Sequence, residues 1–387
     1  MDTINKSDEH IMPTYGRFKV VLEKGSGCCV KDENGKEYID FGSGIGTNSL
    51  GFCDKDWSDS VCKQAQDLQH ASNYYYTKPS ADFAEKLCAM TGYKKLFFAN
   101  SGAEANECAI KLARKYSFDK YGKGRGKILT LKNSFHGRTL ATLTATGQDV
   151  FHDYFFPFPS GFDYVEAGNS DELKAKLDDT VCAVMFECVQ GEGGVVALDK
   201  EFVNLIFSEC EKRDILTICD EVQTGSGRTG KFLASEYYGV KPNVTTLAKG
   251  VAGGLPIGVC LADDKCKDVL SKGMHGSTFG GNPVCCAAGS VVLSKISKLG
   301  FLDEVCKKSD YLREKLSKLS GVSELTGLGL MIGIVLKDKT AADVCGECLD
   351  AGLLVLTAKD RLRLLPPLTI TYDEIDRGLE ILGKILN

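Results

Sequence analysis

The middle of the chain alternates short apolar runs with longer segments whose apolar residues recur at helical spacing. The runs are KLFFAN (95–100), KILTL (127–131), VCAVMFE (181–187), ILTICDE (215–221), NVTTLAK (243–249) and LPIGVCLAD (255–263). Residues 102–116 and 201–214 each place their apolar side chains on one helical stripe. Strands that alternate with helices form a largely parallel sheet covered on both faces. The sequence therefore predicts a large α/β domain.

The C-terminal part of the chain follows a different pattern. Segments GLGLMIGIVL (327–336) and GLLVLTAKDRLRLLPPL (352–368) predict strands of a smaller sheet, and TYDEIDRGLEILGKILN predicts an amphipathic helix capped by Thr371. A length of 387 residues suggests two or three domains. We predict three units, which are an N-terminal segment 1–45 that joins the small domain, a large domain 46–288 and a small α+β domain 289–387.

Composition argues against several classes of protein. The net charge is −5 and no long basic run occurs, so neither nucleic acid nor an anionic membrane is an expected partner. The N-terminus MDTINKSDEHIMPTYGR lacks the apolar core of a signal peptide, and no stretch approaches the length of a membrane span. We expect a cytoplasmic protein.

The cysteines support that expectation. There are 17, an odd number, and they lie mostly inside apolar segments, which is typical of buried free thiols in a reducing compartment. Cys345 and Cys348 form a CxxC motif without a second pair or a nearby histidine. A structural zinc site needs about four ligands, so we predict two cysteines one helical turn apart and no metal.

Polar residues follow predicted strands at the sheet edge where open α/β sheets bind ligands. Asn100 to Ala103 follow KLFFA and open a helix, whose free N–H groups suit a phosphate, although Ser101 could equally be an ordinary N-cap. Asp220 and Glu221 end ILTIC, where a carboxylate either caps the sheet or pairs with a cation. Each motif alone is weak.

Lys249 ends an apolar strand and is followed by glycines at 250, 253 and 254. A lysine is almost never buried without a partner, and burial lowers its pKa and makes its amine a nucleophile. The alternative is a lysine that caps carbonyls at the strand end. A phosphate cradle, a carboxylate for a ring nitrogen and an amine nucleophile together are what pyridoxal phosphate requires of a protein.

A dinucleotide site is the competing hypothesis. Residues 225–230, GSGRTG, match GxGxxG after a strand. Such a site also needs an acidic residue about 20 positions further on, and the corresponding segment TTLAKGVAGG has none. We interpret the glycines as a flexible loop.

The order of the motifs resembles the class III, fold-type-I pyridoxal-phosphate aminotransferases, most closely the acetylornithine aminotransferase family. The resemblance runs nearly end to end. It rests on TYGRF (14–18), NSLG (48–51), SNYYYTKP (72–79), NSGAEANECAIKLAR (100–114), FHGRT (135–139), VQGEGGV (189–195), CDEVQTGSGRTGKF (219–232), LAKGVAGGLPIGV (247–259), HGSTFGGNP (275–283) and RLRLLPP (361–367).

The resemblance implies a role for each matching residue. Lys249 would bond covalently to the cofactor aldehyde, and Asp220 would pair with the ring nitrogen. The other implied cofactor contacts are Ser101, Gly102, Ala103, Phe135, Glu221, Val222, Gln223 and, from the neighbouring subunit of a homodimer, Thr278. The implied substrate contacts are Ser277, Arg138 for a substrate carboxylate, and Arg363 for the α-carboxylate of glutamate, with Glu192 as its switchable partner.

The activity implied is transfer of the terminal amino group of N²-acetyl-L-ornithine to 2-oxoglutarate. Ornithine, succinylornithine and 4-aminobutyrate are alternative donors. An aminomutase or decarboxylase of the same fold, and a non-catalytic binding protein that kept the cofactor, are alternatives of other classes. Ile45 stands where ornithine aminotransferases carry tyrosine, which favours the acetylated donor. The sequence departs from the family's pattern at FCDKDW (52–57) and at Cys188, neither of which has an implied catalytic role.

Overall fold

The computed structural model describes residues 2–387. The helices are α1 Thr3–His10, α2 Ser43–Gly46, α3 Lys55–Asp67, α4 Lys78–Thr91, α5 Gly102–Tyr121, α6 Leu140–Ala145, α7 Ser170–Lys176, α8 Lys200–Lys212, α9 Pro283–Ile296, α10 Phe301–Leu316, α11 Ala341–Ala351 and α12 Tyr372–Leu386. Short 3₁₀ turns span Asp149–Phe151, Ala234–Tyr238 and Lys249–Ala252.

The strands belong to four sheets. They are β1 Leu22–Ser26, β2 Cys29–Asp32, β3 Glu37–Asp40, β4 Lys95–Ala99, β5 Lys127–Leu131, β6 Phe162–Val165, β7 Val181–Phe186, β8 Val189–Gln190, β9 Val196–Ala197, β10 Leu216–Asp220, β11 Val244–Leu247, β12 Gly258–Ala262, β13 Val322–Thr326, β14 Ile332–Leu336, β15 Leu353–Leu354, β16 Leu356–Ala358 and β17 Arg361–Leu364. Sheet and helices together confirm the predicted α/β class.

The largest sheet has seven strands in the order β4-β12-β11-β10-β7-β5-β6. Strands β11, β10, β7, β5 and β6 run parallel, and β12 is antiparallel to both of its neighbours. All six apolar runs of the sequence form strands of this sheet. The pattern did not predict β6, because this strand is only four residues long and contains Asp163.

Helix α5 places the first candidate motif. The Ser101 hydroxyl accepts a hydrogen bond from the Glu104 N–H at 3.2 Å, and the Glu104 carboxylate accepts one from the Asn100 N–H at 2.6 Å. The Ser101 cap starts the helix shortly after β4, and Glu104 fixes the residue before the cap. The predicted apolar stripe is buried against the sheet: Ala105, Cys108, Ala109, Leu112, Ala113 and Tyr116.

Two smaller sheets involve the C-terminal part of the chain. Strands β13, β14, β17 and β16 form an antiparallel sheet, and β15 pairs in parallel with β3 in a sheet that also contains β1 and β2. Helix α12 begins at the predicted Thr371 cap. The proposed division into units stays a prediction, and its boundary at 288 falls inside α9, which packs on α3 and α4.

The cysteines of residues 2–387 are all free thiols, and most are buried, as the sequence predicts. Cys345 and Cys348 both lie in α11. In the same part of the chain no single helix is long and apolar enough to cross a membrane. Helices α9 and α10 would satisfy length and composition together, but they bend by 74° at the break between them.

Candidate active site

A cavity of about 580 Å³ lies where β4, β5, β7, β10 and β11 end. Parallel strands bring their carboxyl ends to one edge of the sheet, so residues far apart in sequence meet there. The predicted site residues that line the cavity are Ser101, Gly102, Ala103, Phe135, Arg138, Asp220, Val222, Gln223 and Lys249. Glu192, Glu221, Ser277, Thr278 and Arg363 do not line it.

Lys249 lies two residues after β11 and starts a 3₁₀ turn. Its φ of +44° is in the left-handed region, where a residue with a side chain is strained and is held by its surroundings. The next residue, Gly250, is fixed from outside because its carbonyl accepts a hydrogen bond from the Ser49 hydroxyl at 2.8 Å. The positive φ of Lys249 and the hydrogen bond to Gly250 thus set the direction in which the lysine side chain projects from the backbone.

The charges around Lys249 act in both directions on its amine. Burial is the largest effect and lowers the pKa of Lys249, and the Arg363 guanidinium lowers it further. The carboxylates of Glu192 and Asp220 oppose the shift, but the net direction is downward. A larger fraction of the amine is therefore neutral and nucleophilic at a given pH than in an exposed lysine.

Asp220 is held by three N–H donors and is only 3% exposed. Its Oδ2 accepts hydrogen bonds from Asn106 Nδ2 at 2.7 Å and from His136 Nδ1 at 2.9 Å, and its Oδ1 accepts one from the Val222 N–H at 3.0 Å. Asn106 is fixed in turn, because its Oδ1 accepts a hydrogen bond from the Thr246 hydroxyl at 2.7 Å. The carboxylate is therefore locked in one orientation.

Sequence reasoning missed three residues of this region. Asn106 and His136 lie inside the quoted NSGAEANECAIKLAR and FHGRT motifs, but nothing in their spacing showed that both would reach Asp220. Glu187 accepts hydrogen bonds from the Phe135 N–H at 2.8 Å and the Gly191 N–H at 3.3 Å. Its complete burial and the nearby Asp220 carboxylate raise the pKa of Glu187. The sequence did contain a signal for Glu187, because a carboxylic residue directly after a buried strand lies at the same sheet edge as the site.

The start of α5 can receive an anion. Ser101 caps the helix, and the first N–H groups of the helix face the cavity edge at Gly102 and Ala103. A Cβ on Gly102 would lie 2.7 Å from a methyl carbon of Val222, so only glycine lets Val222 pack against the helix start. The N-cap and the phosphate site are compatible, because the Ser101 hydroxyl caps the helix while the backbone N–H groups at its start remain available to an anion.

Glu192 and Arg363 form an ion pair beside the cavity, as the resemblance implied. Arg363 Nη1 lies 2.6 Å from Glu192 Oε1. Gln223 joins the two, since its amide oxygen accepts a hydrogen bond from Arg363 Nη1 at 3.2 Å and its amide nitrogen donates one to Glu192 at 3.3 Å. Burial raises the pKa of Glu192, but Arg363 outweighs that effect and holds this pKa below its ordinary value.

Three expected contacts lie elsewhere. The Glu221 carboxylate accepts hydrogen bonds from the N–H groups of Ala234 at 2.7 Å and Ser235 at 2.8 Å, so it anchors the start of the 3₁₀ turn Ala234–Tyr238. Ser277 accepts a hydrogen bond from Asn100 Nδ2 at 3.1 Å. Thr278 is exposed on this chain.

The glycine-rich segment 225–230 forms buried turns and does not open a helix. The buried Arg228 within it donates to the carbonyls of Leu330, at 3.1 Å, and Pro366, at 2.5 Å. The segment connects the large sheet to the C-terminal part of the chain. The predicted loop is therefore present, but it is buried and held by hydrogen bonds, which the description as a flexible loop did not anticipate.

Comparison with known proteins decides the family. The sequence profile of the class-III aminotransferases matches residues 11–386. The chain belongs to this family. An acetylornithine aminotransferase of Haemophilus ducreyi is 50% identical over 389 residues, which cover 100% of this chain and 99% of the relative.

Solved structures agree on the fold of this aminotransferase. The N-acetylornithine aminotransferase of Stenotrophomonas maltophilia is 33% identical with a TM-score of 0.86, over 98% of this chain and 97% of that one. An ornithine aminotransferase of Toxoplasma gondii, described with partial occupancy of PLP at its active site, is 30% identical with a TM-score of 0.92, over 98% and 93%. The chain is a fold-type-I enzyme.

The cofactor of class-III aminotransferases is pyridoxal 5′-phosphate, and the residues of this cavity fit it. Lys249 offers an amine of lowered pKa, Asp220 offers an oriented carboxylate, and the N-terminus of α5 offers free N–H groups at Gly102. Phe135 and Val222 line the space between them. These groups would hold the aldehyde, the ring nitrogen, the phosphate and the ring faces.

Proposed function

We propose that this aminotransferase moves the terminal amino group of N²-acetyl-L-ornithine to 2-oxoglutarate, giving N-acetyl-L-glutamate 5-semialdehyde and L-glutamate. The observation that carries the proposal is the Glu192–Arg363 ion pair next to Lys249. One site must accept an amine far from a carboxylate in one substrate and beside it in the other. A guanidinium with an exchangeable partner meets both demands. The relative that is 50% identical is named for the same reaction.

Lys249 would act as the proton carrier of the reaction. Its amine would take a proton from the substrate carbon and return it to the cofactor, because a side chain already in reach avoids the entropic penalty of recruiting a base. When bound, pyridoxal phosphate supplies the electron sink for the pair left on that carbon. Asp220 would hold the protonated ring nitrogen, and its three N–H contacts keep it in place for that task.

Arg363 and Arg138 would divide the substrate carboxylates between them. While Glu192 pairs with Arg363, the guanidinium is neutralised and tolerates a donor whose reacting end has no carboxylate. Once Glu192 moves away, Arg363 would bind the α-carboxylate of glutamate at two points. Arg138 lines the cavity and makes no hydrogen bond or ion pair with residues 2–387, so its donors are available for the other carboxylate.

The amine donor is the first point to test. Ile45 lies in the turn α2, whose residues all have positive φ. Its side chain is exposed and does not line the cavity, whereas Thr47 of the same segment does. An apolar side chain there would not help hold the ammonium of free ornithine, and loss of one charged contact is worth about 1.5–3 kcal/mol, or about 10- to 100-fold in kcat/KM. The test measures kcat/KM for acetylornithine, ornithine, succinylornithine and 4-aminobutyrate with saturating 2-oxoglutarate, and acetylornithine should have the highest value. Equal or higher kcat/KM for ornithine would contradict the proposal, and an aminomutase would not need 2-oxoglutarate.

We further propose a homodimer with shared active sites. Asn73 donates to the carbonyls of Ser277, at 3.1 Å, and Gly280, at 2.9 Å, which brings the highly exposed Tyr74 to Tyr76 beside exposed Thr278. Such an aromatic surface is typical of an interface. Mixing Lys249→Ala with Thr278→Ala chains should give hybrids with one intact site and activity above either parent. Hybrids without a gain would contradict shared sites.

The proposed place of action is the cytoplasm, within arginine biosynthesis, with small molecules as the only other partners. Free thiols at all 17 cysteines support a reducing compartment. Fractionation of the source cells with an antibody to this chain tests the location. Recovery with membranes or outside the cytoplasm would contradict it.

A further inference from the structure

Arg138 is held by aromatic rings and not by charge. Its guanidinium carbon lies 4.1 Å from the centre of the Phe151 ring and 5.4 Å from that of Phe135. The two rings meet edge to face with centroids 5.9 Å apart. A guanidinium over a ring face is attracted by the ring quadrupole and keeps its N–H donors free.

Phe151 is itself fixed at both sides of its 3₁₀ turn. Before the turn, Gln148 Nε2 donates to the Ser134 carbonyl at 3.0 Å. After it, His152 Nε2 lies 2.9 Å from the Leu143 carbonyl oxygen. The neighbouring Val150 is 69% exposed, whereas the Phe151 ring turns back toward the site. The turn therefore holds the Phe151 ring in place against the long, flexible side chain of Arg138.

We infer that Phe151 is a positioning residue for substrate carboxylates, because its ring orients the Arg138 guanidinium toward the cavity. An arginine on an exposed surface has many rotamers, and confining it before substrate arrives reduces the entropic penalty of binding. Neither ring competes for the N–H donors, so the guanidinium remains free to grip a carboxylate. The inference rests on the proposed function in assigning Arg138 to a carboxylate.

The test uses glutarate, a dicarboxylate that cannot react, bound to the holoenzyme and measured by isothermal titration calorimetry. Phe151→Leu keeps apolar bulk and removes the ring, and should weaken glutarate about three- to tenfold, the range expected for one cation–π contact. Phe151→Trp retains a ring face and should stay close to wild type. Phe155→Leu is the matched control, since Phe155 lies in the same segment and its ring contacts Tyr154.

Kinetics separate positioning from general damage. With Phe151→Leu, KM for acetylornithine and for 2-oxoglutarate should rise by a similar factor while kcat changes little. N-acetyl-1,4-diaminobutane, which is the same donor without its carboxylate, should be turned over as by wild type. In an Arg138→Ala background, Phe151→Leu should add no further loss, because the two residues act through one contact.

Each result decides the inference. Unchanged glutarate affinity in Phe151→Leu would overturn the inference. So would a loss of affinity in the Arg138→Ala background as large as in wild type, or a similar rise in KM for the donor that lacks a carboxylate. Glutarate binding needs no turnover. If wild type fails to use acetylornithine while Phe151→Leu still weakens glutarate, the proposed substrate is wrong and the role of Phe151 stands.

Discussion

The two charged regions that face Lys249 are built differently. Asp220 is 3% exposed and accepts three N–H donors. Two of them are the buried side chains of Asn106 and His136, and Asn106 is itself fixed by the Thr246 hydroxyl. Glu192 is 28% exposed at its side chain and is held by Arg363 and by one amide of Gln223. We call the buried network around Asp220 the fixed region. The ion pair of Arg363 with the partly exposed Glu192 is the exchangeable region.

The difference matches what each region would have to do. A carboxylate that holds a ring nitrogen must remain in place through the whole reaction, and breaking its buried hydrogen bonds would be expensive. A carboxylate that alternates between two states must be able to leave its partner. Partial exposure lowers the penalty for Glu192 to do so, because water can replace the lost contact.

Removal of Lys249 should have the largest effect, because both regions act on it. Lys249→Ala should lower transamination by about 10³-fold or more, within the range of general acid–base catalysis. Borohydride reduction of wild type followed by peptide mapping should place the pyridoxyl group on Lys249. Lys241→Ala, three residues before the start of β11, is the control. Labelling of another lysine would overturn the whole site.

Asp220→Asn tests the fixed region. Asn106 and His136 would then face a neutral amide, and we expect about 10²- to 10³-fold lower kcat with weaker retention of the cofactor. Both half-reactions should fall together, because the fixed region serves both. Asp263→Asn changes another carboxylate at a strand end and should be near wild type. A loss confined to one half-reaction would contradict the assignment of Asp220 to the fixed region.

Arg363→Ala tests the exchangeable region. We expect the glutamate half-reaction to lose about 10- to 100-fold in kcat/KM, the value of one charged contact, and the acetylornithine half to lose much less. Arg138→Ala should instead damage both halves, since both substrates would present a carboxylate to it. The reverse pattern in single-turnover measurements would mean that the two arginines have exchanged roles.

Smaller effects should connect the exchangeable region with Lys249. Because the Glu192 carboxylate raises the pKa of Lys249 and Arg363 lowers it, Glu192→Gln should move that pKa further down and Arg363→Ala should move it up. The neutral amine then appears at lower pH in the first variant and at higher pH in the second. The pH dependence of cofactor uptake by apoenzyme measures both shifts, with Glu201→Gln as control. Shifts in one common direction would contradict this electrostatic coupling.

Local sequence patterns were enough to predict where the strands of the site end. Lys249, Asp220 and the start of α5 were predictable because apolar runs and helical periodicity mark where strands end, and parallel strands deliver those ends to one edge. The motif resemblance added Arg138, Glu192 and Arg363. It also assigned Glu221 to the cofactor, although in the structure that carboxylate accepts hydrogen bonds from the N–H groups of Ala234 and Ser235.

Which side chains contact one another in the site depends on the folded chain. Asn106 and His136 reach Asp220 across 114 and 84 residues, and Arg363 reaches Glu192 across 171. Phe151 meets Arg138 because a turn after β5 is anchored to residues near both. Such contacts depend on packing, rotamers and the position of loops. Local sequence patterns reflect the periodicity of single elements and do not contain these distances.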